Sequence, residues 1–226
     1  ARQVERYRRV WNDNGKISWG LFDNVAPRVL SPDMVTLSRR TGKGALVGAN
    51  LALQAYMESK LDAIEVKSIL DVGCGAGRST LDLGLRFPDA RCVGCDPSRV
   101  GIKMGIDRAE EEGVSGRVGF FAGTVQELAN SNTAVPKGTF SAAWSEAALC
   151  HAPPADRAEA LQAIADQLEV GGLFVLNDAV AGYAPVSAAA QRHLYERWHY
   201  SGLWTKLAYM DSLESCGLQV VEYVDL

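Results

Sequence analysis

At 226 residues the chain is long enough to bury one substantial core, and 47% hydrophobic with 22% charged residues is ordinary for a globular domain. A formal net charge of -4 argues against general nucleic-acid binding, which needs a concentrated basic surface to displace phosphate counterions; the cluster Arg2, Arg6, Arg8, Arg9 reads as a solvated helix face. No apolar run approaches a membrane span, no secretory signal is visible, and an odd count of five cysteines fits a reducing compartment, so a cytoplasmic location is expected.

In chain order, residues 1–62 read as helical and precede the sheet. Within them 17–23 is a dense aromatic patch containing Trp19 and Phe22, and Leu46, Leu53, Met57 and Leu61 recur at helical spacing. Residues 66–72 form a short apolar run rich in β-branched side chains, the pattern of a buried parallel strand. It runs straight into Gly73-Cys74-Gly75-Ala76-Gly77-Arg78, where alternate glycines let the backbone turn tightly and come close to a ligand. The helix that follows presents free N–H groups at its start, which makes the loop a cradle for a nucleoside-bearing cofactor. A dinucleotide fingerprint wants a glycine where this chain has Arg78. Here the pattern is Asp71-x-Gly73-x-Gly75-x-Gly77, and an acidic residue just before the loop suits a cationic cofactor better than a pyrophosphate.

A helix is expected over 79–87, ended by Pro88, and a second strand over 90–95 that stops at Asp96. An acid about 20 residues beyond a glycine loop, at a strand's C-terminal end, suits the two ribose hydroxyls; the competing reading is a cap for the helix from Ser98 to Glu112. Cys92 and Cys95 form a C-x-x-C, but three residues apart on a strand puts them on opposite faces, which favours packing over a metal site. A third strand over 117–122 leads to Gly123-Thr124-Val125, and a fourth over 140–145 runs on through Glu146 to His151. Ligands bind outside strand C-termini in parallel sheets, so Glu146 and His151 are the acid–base candidates bordering the reacting group. Asp156 is expected to cap a helix running to Leu168, Gly171-Gly172 to stop it, and 173–176 to form the fifth strand. Residues 183–204 are aromatic-rich, with Tyr183, His199 and Trp204 among them; a last helix over 206–216 and a sixth strand over 218–224 follow.

The glycine loop resembles the first motif of the class I S-adenosylmethionine-dependent methyltransferases, and Trp144-Ser145-Glu146-Ala147-Ala148-Leu149-Cys150-His151 resembles a stretch common in the branch acting on small molecules. The Trp19-Gly20-x-Phe22 patch is similar to the lead-in of those enzymes, where N-terminal helices cover the cofactor. The resemblance implies a Rossmann-like doubly wound α/β domain with S-adenosylmethionine held by Asp71, Gly73, Cys74, Gly75, Gly77, Asp96, Pro97 and Ser145. It implies an adenine contact at Thr124 and Val125, although relatives usually carry an acid and an alanine there. It implies a single domain: a helical lid (1–62), a cofactor-binding core (63–180), a substrate-covering insertion (181–204) and a terminal helix and strand (205–226). Trp19, Phe22, Tyr183, His199 and Trp204 would line the small-molecule acceptor. The fold usually closes with a seventh, antiparallel strand for which no segment remains, so a chain trimmed at its C-terminus is expected. Two alternatives share the fold class: a cyclase or isomerase that binds the cofactor without transferring its methyl, and a nicotinamide-dependent oxidoreductase, which Arg78 disfavours.

Overall fold

The computed structural model describes residues 43–131, 137–182 and 187–225. In chain order they form α1 (Lys43–Leu61), β1 (Ser68–Val72), α2 (Arg78–Arg86), β2 (Arg91–Asp96), α3 (Arg99–Glu111) and β3 (Val118–Ala122). Then come α4 (Val125–Asn130), β4 (Phe140–Glu146), a 3₁₀ turn (Leu149–His151), α5 (Pro154–Gln167) and β5 (Leu168–Asn177). A short α6 (Ala188–Gln191), a π-helical turn (Arg192–Arg197) and α7 (Lys206–Ser215) complete them. The five strands form one all-parallel sheet in the order β3-β2-β1-β4-β5. Order reverses between β2–β1 and β1–β4, the switch point outside which parallel α/β sheets bind their ligands.

The strands are apolar on both faces because helices cover both, and neighbouring positions alternate between two cores. Ile69, Cys92, Ala142 and Trp144 face the layer that holds Leu53, Met57 and Leu61 of α1, Leu81 and Leu83 of α2 and Ala109 of α3. Leu70, Val93, Cys95 and Ala143 face the opposite layer, with Val125 and Leu128 of α4, Leu161 and Ile164 of α5 and Tyr209 of α7. Cys92 and Cys95 thus lie on opposite faces as their spacing required, and burial raises both thiols to about 12, which makes them inert packing groups. Of the four apolar positions expected on α1, Leu53, Met57 and Leu61 are buried, and the side chain of Leu46 lies outside the described residues.

Three expectations fail. Asp156 does not cap α5: the cap is Pro153, with Pro154 opening the helix in the position where proline's missing N–H costs nothing, and Asp156 sits inside the first turn. Gly171-Gly172 does not stop that helix, which ends at Gln167; both glycines lie within β5, beside a register break where Phe140 pairs with Leu168 but Ala142 with Leu173. Residues 218–224 are not a strand but irregular chain. Glu222 there binds α1, accepting from Tyr56 Oη at 2.8 Å and Lys60 Nζ at 2.9 Å.

Candidate active site

Register aligns the strand C-termini along one edge: Val72 opposite Cys95, Asp96 opposite Ala122, Glu146 opposite Asn177. From this edge the chain leaves β1 into the glycine loop, which the end of β2 holds through two backbone bonds, Gly73 N–H and Cys74 N–H to the Cys95 carbonyl at 2.8 and 3.1 Å.

The three loop glycines do different jobs. A Cβ on Gly73 would lie 2.2 Å from the Ala148 Cβ, and one on Gly77 would lie 2.6 Å from the Phe120 ring and 2.9 Å from the Gly105 Cα. Those two glycines let neighbouring chain pack against the loop. Gly75 has φ +56, and among the described residues nothing lies within 4 Å of where its Cβ would stand, so its outer side is the open side of the cradle they form. Sequence reasoning missed Gly101, in the first turn of α3, whose absent Cβ would lie 2.4 Å from the Gly75 carbonyl oxygen. Its signal was the pair Gly101 and Gly105 four residues apart, two small residues on one helix face.

Asp96 stands beside Gly75: its Oδ2 accepts the Gly75 N–H at 3.0 Å and its Oδ1 the Ser98 N–H at 2.7 Å. Capping of α3 falls to Ser98, whose Oγ accepts the Gly101 N–H. A carboxylate offers about four acceptor sites, so Asp96, half-buried at the loop, keeps capacity for ribose hydroxyls, and Pro97 beyond it is exposed. Asp71 is buried and accepts from Thr80 Oγ1 at 2.6 Å, an interaction that ties β1 to α2. Cys74 is buried with its thiol pushed well up by desolvation. The Ser145 hydroxyl, also buried, donates to the Val72 carbonyl at 3.1 Å and locks β4 to β1 just below the loop. Thr124 and Glu127 form a reciprocal capping box on α4, and Val125 is buried beneath it.

At the end of β4, Glu146 accepts from Ser79 Oγ at 3.4 Å, which brings it to the start of α2. Ala147 then takes φ +51, rare for a residue with a side chain, and this bend delivers Ala148 onto Gly73. His151 ends the 3₁₀ turn, exposed at the surface, with its ring 5.0 Å from that of Tyr200. Crowding by the surrounding chain lowers its pKa from 6.5, partly offset by a bond to the backbone of His199 and by the charge of Asp178. His199 has φ +57 and is exposed, while Trp204 packs edge-on to Tyr209 with centroids 5.2 Å apart. Trp19, Phe22 and Tyr183 lie outside the described residues. The structure therefore gathers Gly73, Gly75, Asp96, Ser145 and Glu146 around one loop, and His151 with His199 at the next turn. Asp178 and Tyr209, joined by a bond of 2.5 Å beneath that turn, carried no sequence signal because they come together from separate elements.

The loop and strand ends fit an adenosyl cofactor: a glycine open on its outer side, an acid beside it, and, among the described residues, no side chain within 4 Å of the position a Gly75 Cβ would take. Residues 69–172 match the methyltransferase domain family. The chain is 29% identical over 119 residues to a sterol 24-C-methyltransferase of Aspergillus fumigatus, a match covering 53% of this chain and 29% of that protein. It is 38% identical over 69 residues to a release factor glutamine methyltransferase of Chlorobaculum tepidum, 30% of this chain and 24% of that protein. These matches span less than a third of the length of those relatives. Among solved structures, a sarcosine dimethylglycine methyltransferase of Galdieria sulphuraria aligns with TM-score 0.75 at 17% identity, covering 98% of this chain and 76% of that one. Geranyl diphosphate C-methyltransferase of Streptomyces coelicolor, solved with S-adenosyl-L-homocysteine, aligns with TM-score 0.68 at 18% identity, covering 95% and 79%. Residues 69–172 thus carry a methyltransferase domain, set in the Rossmann-like fold of the class I S-adenosylmethionine-dependent methyltransferases.

Proposed function

We propose that the chain transfers a methyl group from S-adenosylmethionine to an oxygen, nitrogen or carbon atom of a small-molecule acceptor, as an enzyme of cytoplasmic metabolism. The observation that carries this reading is the open outer side of Gly75 directly beside the Asp96 carboxylate. The loop backbone from Gly73 to Gly77 would hold the cofactor, Asp96 would accept from its ribose, and Thr124 and Val125 would border its base. The cofactor supplies a methyl carbon on a positively charged sulfur, where charge disperses as displacement proceeds, so the protein's share of the work is alignment and exclusion of water.

His151 takes the acceptor's proton where the acceptor arrives protonated. Burial by the surrounding chain lowers its pKa, which favours the neutral imidazole that a base must be. Glu146 orients the acceptor or pairs with its positive charge, and Trp204 and His199 belong to the wall around it. A small acceptor is supported by two of the solved structures that span nearly the whole chain, both named for small molecules. The release factor enzyme, named for a protein substrate, matches only 30% of this chain. The five cysteines are free thiols, four of them buried, which fits a reducing compartment.

Calorimetric titration tests the cofactor: S-adenosylhomocysteine is expected to bind and NAD to give no heat, and a folded protein that ignores S-adenosylhomocysteine would overturn the reading. Incubation with methyl-labelled S-adenosylmethionine and a panel of amines, phenols and prenyl diphosphates then identifies the acceptor atom by mass.

A further inference from the structure

One buried cation stands outside the chemistry proposed above. Arg157, in the first turn of α5, is fully buried, and its Nε and Nη2 donate to carbonyl groups. Its Nε donates to the carbonyls of Leu149 (2.8 Å) and Ala152 (3.1 Å). Its Nη2 donates to Cys150 (3.0 Å), to Ala152 (2.9 Å) and, across the chain, to Gly202. The first three carbonyls belong to the turn that carries His151 and its exit; the fourth belongs to the segment 199–204. Two contacts from Ser201 join the same pieces: its N–H reaches the Cys150 carbonyl at 3.4 Å and its Oγ donates to the His151 carbonyl at 2.9 Å. The Trp204 ring lies 5.6 Å from the guanidinium, on the far side of the same segment.

The segment so held is the one that touches the His151 ring. Tyr200 is buried and packs on that ring. His199 holds φ +57, a backbone state that is uphill for a residue with a side chain and persists only where its surroundings enforce it. Arg157 is suited to enforcing it, because a planar fork of five donors reaches four carbonyls on two segments at once, whereas an ammonium on a flexible stem does not. In a buried site each such bond is strengthened and each carbonyl left without a donor is costly, so the two segments dock as a unit.

We propose that Arg157 is a positioning residue: it clasps segment 199–204 onto the turn bearing His151 and thereby holds the His151 ring in place against Tyr200. The value of this for catalysis rests on His151 being the base. The clasp itself is a property of the ring and the backbone and is testable without turnover. Besides His199 and Tyr200, the groups facing this ring are Asp178 and Arg157.

The test uses the whole protein with carbon-13- and nitrogen-15-labelled histidine, saturated with S-adenosylhomocysteine, with the His151 signals identified by their loss in His151→Asn. The wild-type His151 ring protons are expected to carry a ring-current shift from Tyr200, which Tyr200→Leu removes. Arg157→Lys keeps the charge but not the fork; it is expected to reduce that shift and to give amide exchange about tenfold faster across 199–204, with S-adenosylhomocysteine affinity unchanged. An unaltered ring-current shift and unaltered exchange would overturn the proposal. So would a parallel loss of melting temperature, ligand affinity and ring-current shift, which marks a role in folding alone. If Arg157→Lys does not fold, Ser201→Ala at an exposed position removes only the bond to the His151 carbonyl. It is expected to speed exchange at 199–202 several-fold without lowering the melting temperature, and unchanged exchange overturns the clasp. Loss of S-adenosylhomocysteine binding in the wild type would instead overturn the methyltransferase reading and leave the clasp standing.

Discussion

Gly73 and Gly75 sit two residues apart in one loop and are glycine for different reasons, which makes them a matched pair of probes. Both have positive φ, so an alanine at either site costs about 1–2 kcal/mol of backbone strain. At Gly73 the new Cβ also meets Ala148, adding about 1–3 kcal/mol of overpacking, whereas at Gly75 it meets nothing among the described residues. Gly73→Ala is therefore expected to melt well below Gly75→Ala, and Gly75→Ala to lose S-adenosylhomocysteine affinity at least tenfold beyond any loss explained by its melting temperature. Equal affinities in the two variants, measured by calorimetry, would mean the ligand does not approach Gly75. Asp96→Ala removes charge-assisted hydrogen bonds worth about 1.5–3 kcal/mol and should weaken cofactor affinity roughly ten- to a hundredfold. Because Asp96 also accepts the Gly75 and Ser98 N–H groups, part of that loss acts through the loop's shape; Asp96→Asn, which keeps an acceptor, should recover some of it.

Elements were legible where a local pattern and the tertiary structure asked for the same thing. The central strands, β1, β2 and β4, are short apolar runs ending in glycine, an acid or a polar turn, and each appears where it was read. The edge of the sheet was not legible. In β5 the stretch Glu169-Val170-Gly171-Gly172 looks like a helix ending on glycines, yet Gly171 takes φ +84 beside a register break, and Val170 is fully exposed because this edge carries no neighbouring strand among the described residues. The apolar residues of 218–224 look like a strand, but a strand exists only through its partner, and Glu222 finds α1 instead. The cofactor loop was readable because its residues are contiguous; Arg157, Asp178 and Tyr209 were not, because their chemistry arises only when separate elements meet. At Thr124 the two kinds of role separate experimentally. The capping box on the six-residue α4 predicts that Thr124→Ala costs about 1 kcal/mol, lowering the melting temperature by roughly 2–4 °C. If Thr124 also borders the adenine, affinity for S-adenosylhomocysteine falls as well; a lower melting temperature at constant affinity would confine it to the cap.

Over the whole molecule, pH acts on two groups whose surroundings push them in opposite senses. Burial raises the Asp178 pKa, although Tyr209 and Cys150 donate to it, while crowding lowers that of His151. For Asp178 the folded state holds the proton more tightly than the unfolded state, so stability is highest below the ordinary carboxylate range and declines as pH rises from about that range through the raised value. For His151 the unfolded state binds the proton more tightly, so stability is fully present above the ordinary histidine range and is lost as pH falls through that range towards the lowered value. Asp178→Asn keeps an oxygen for the Tyr209 hydroxyl while removing the desolvated charge, and thermal melts should show it at least as stable as wild type at pH 7 and flatter as pH rises from the ordinary carboxylate range. The same substitution reaches the proposed base. Asp178 raises the His151 pKa by its charge, so the acid limb of the rate profile, which in wild type should lie below that of an ordinary histidine, moves to still lower pH in Asp178→Asn. His151→Ala should abolish that limb and lower turnover about 10²–10⁴-fold for a hydroxyl acceptor, with cofactor affinity nearly intact. A limb that persists in His151→Ala would assign the titration to another group. A limb that moves upward in Asp178→Asn would mean that Asp178 acts on His151 through the shape of the turn and not through its charge.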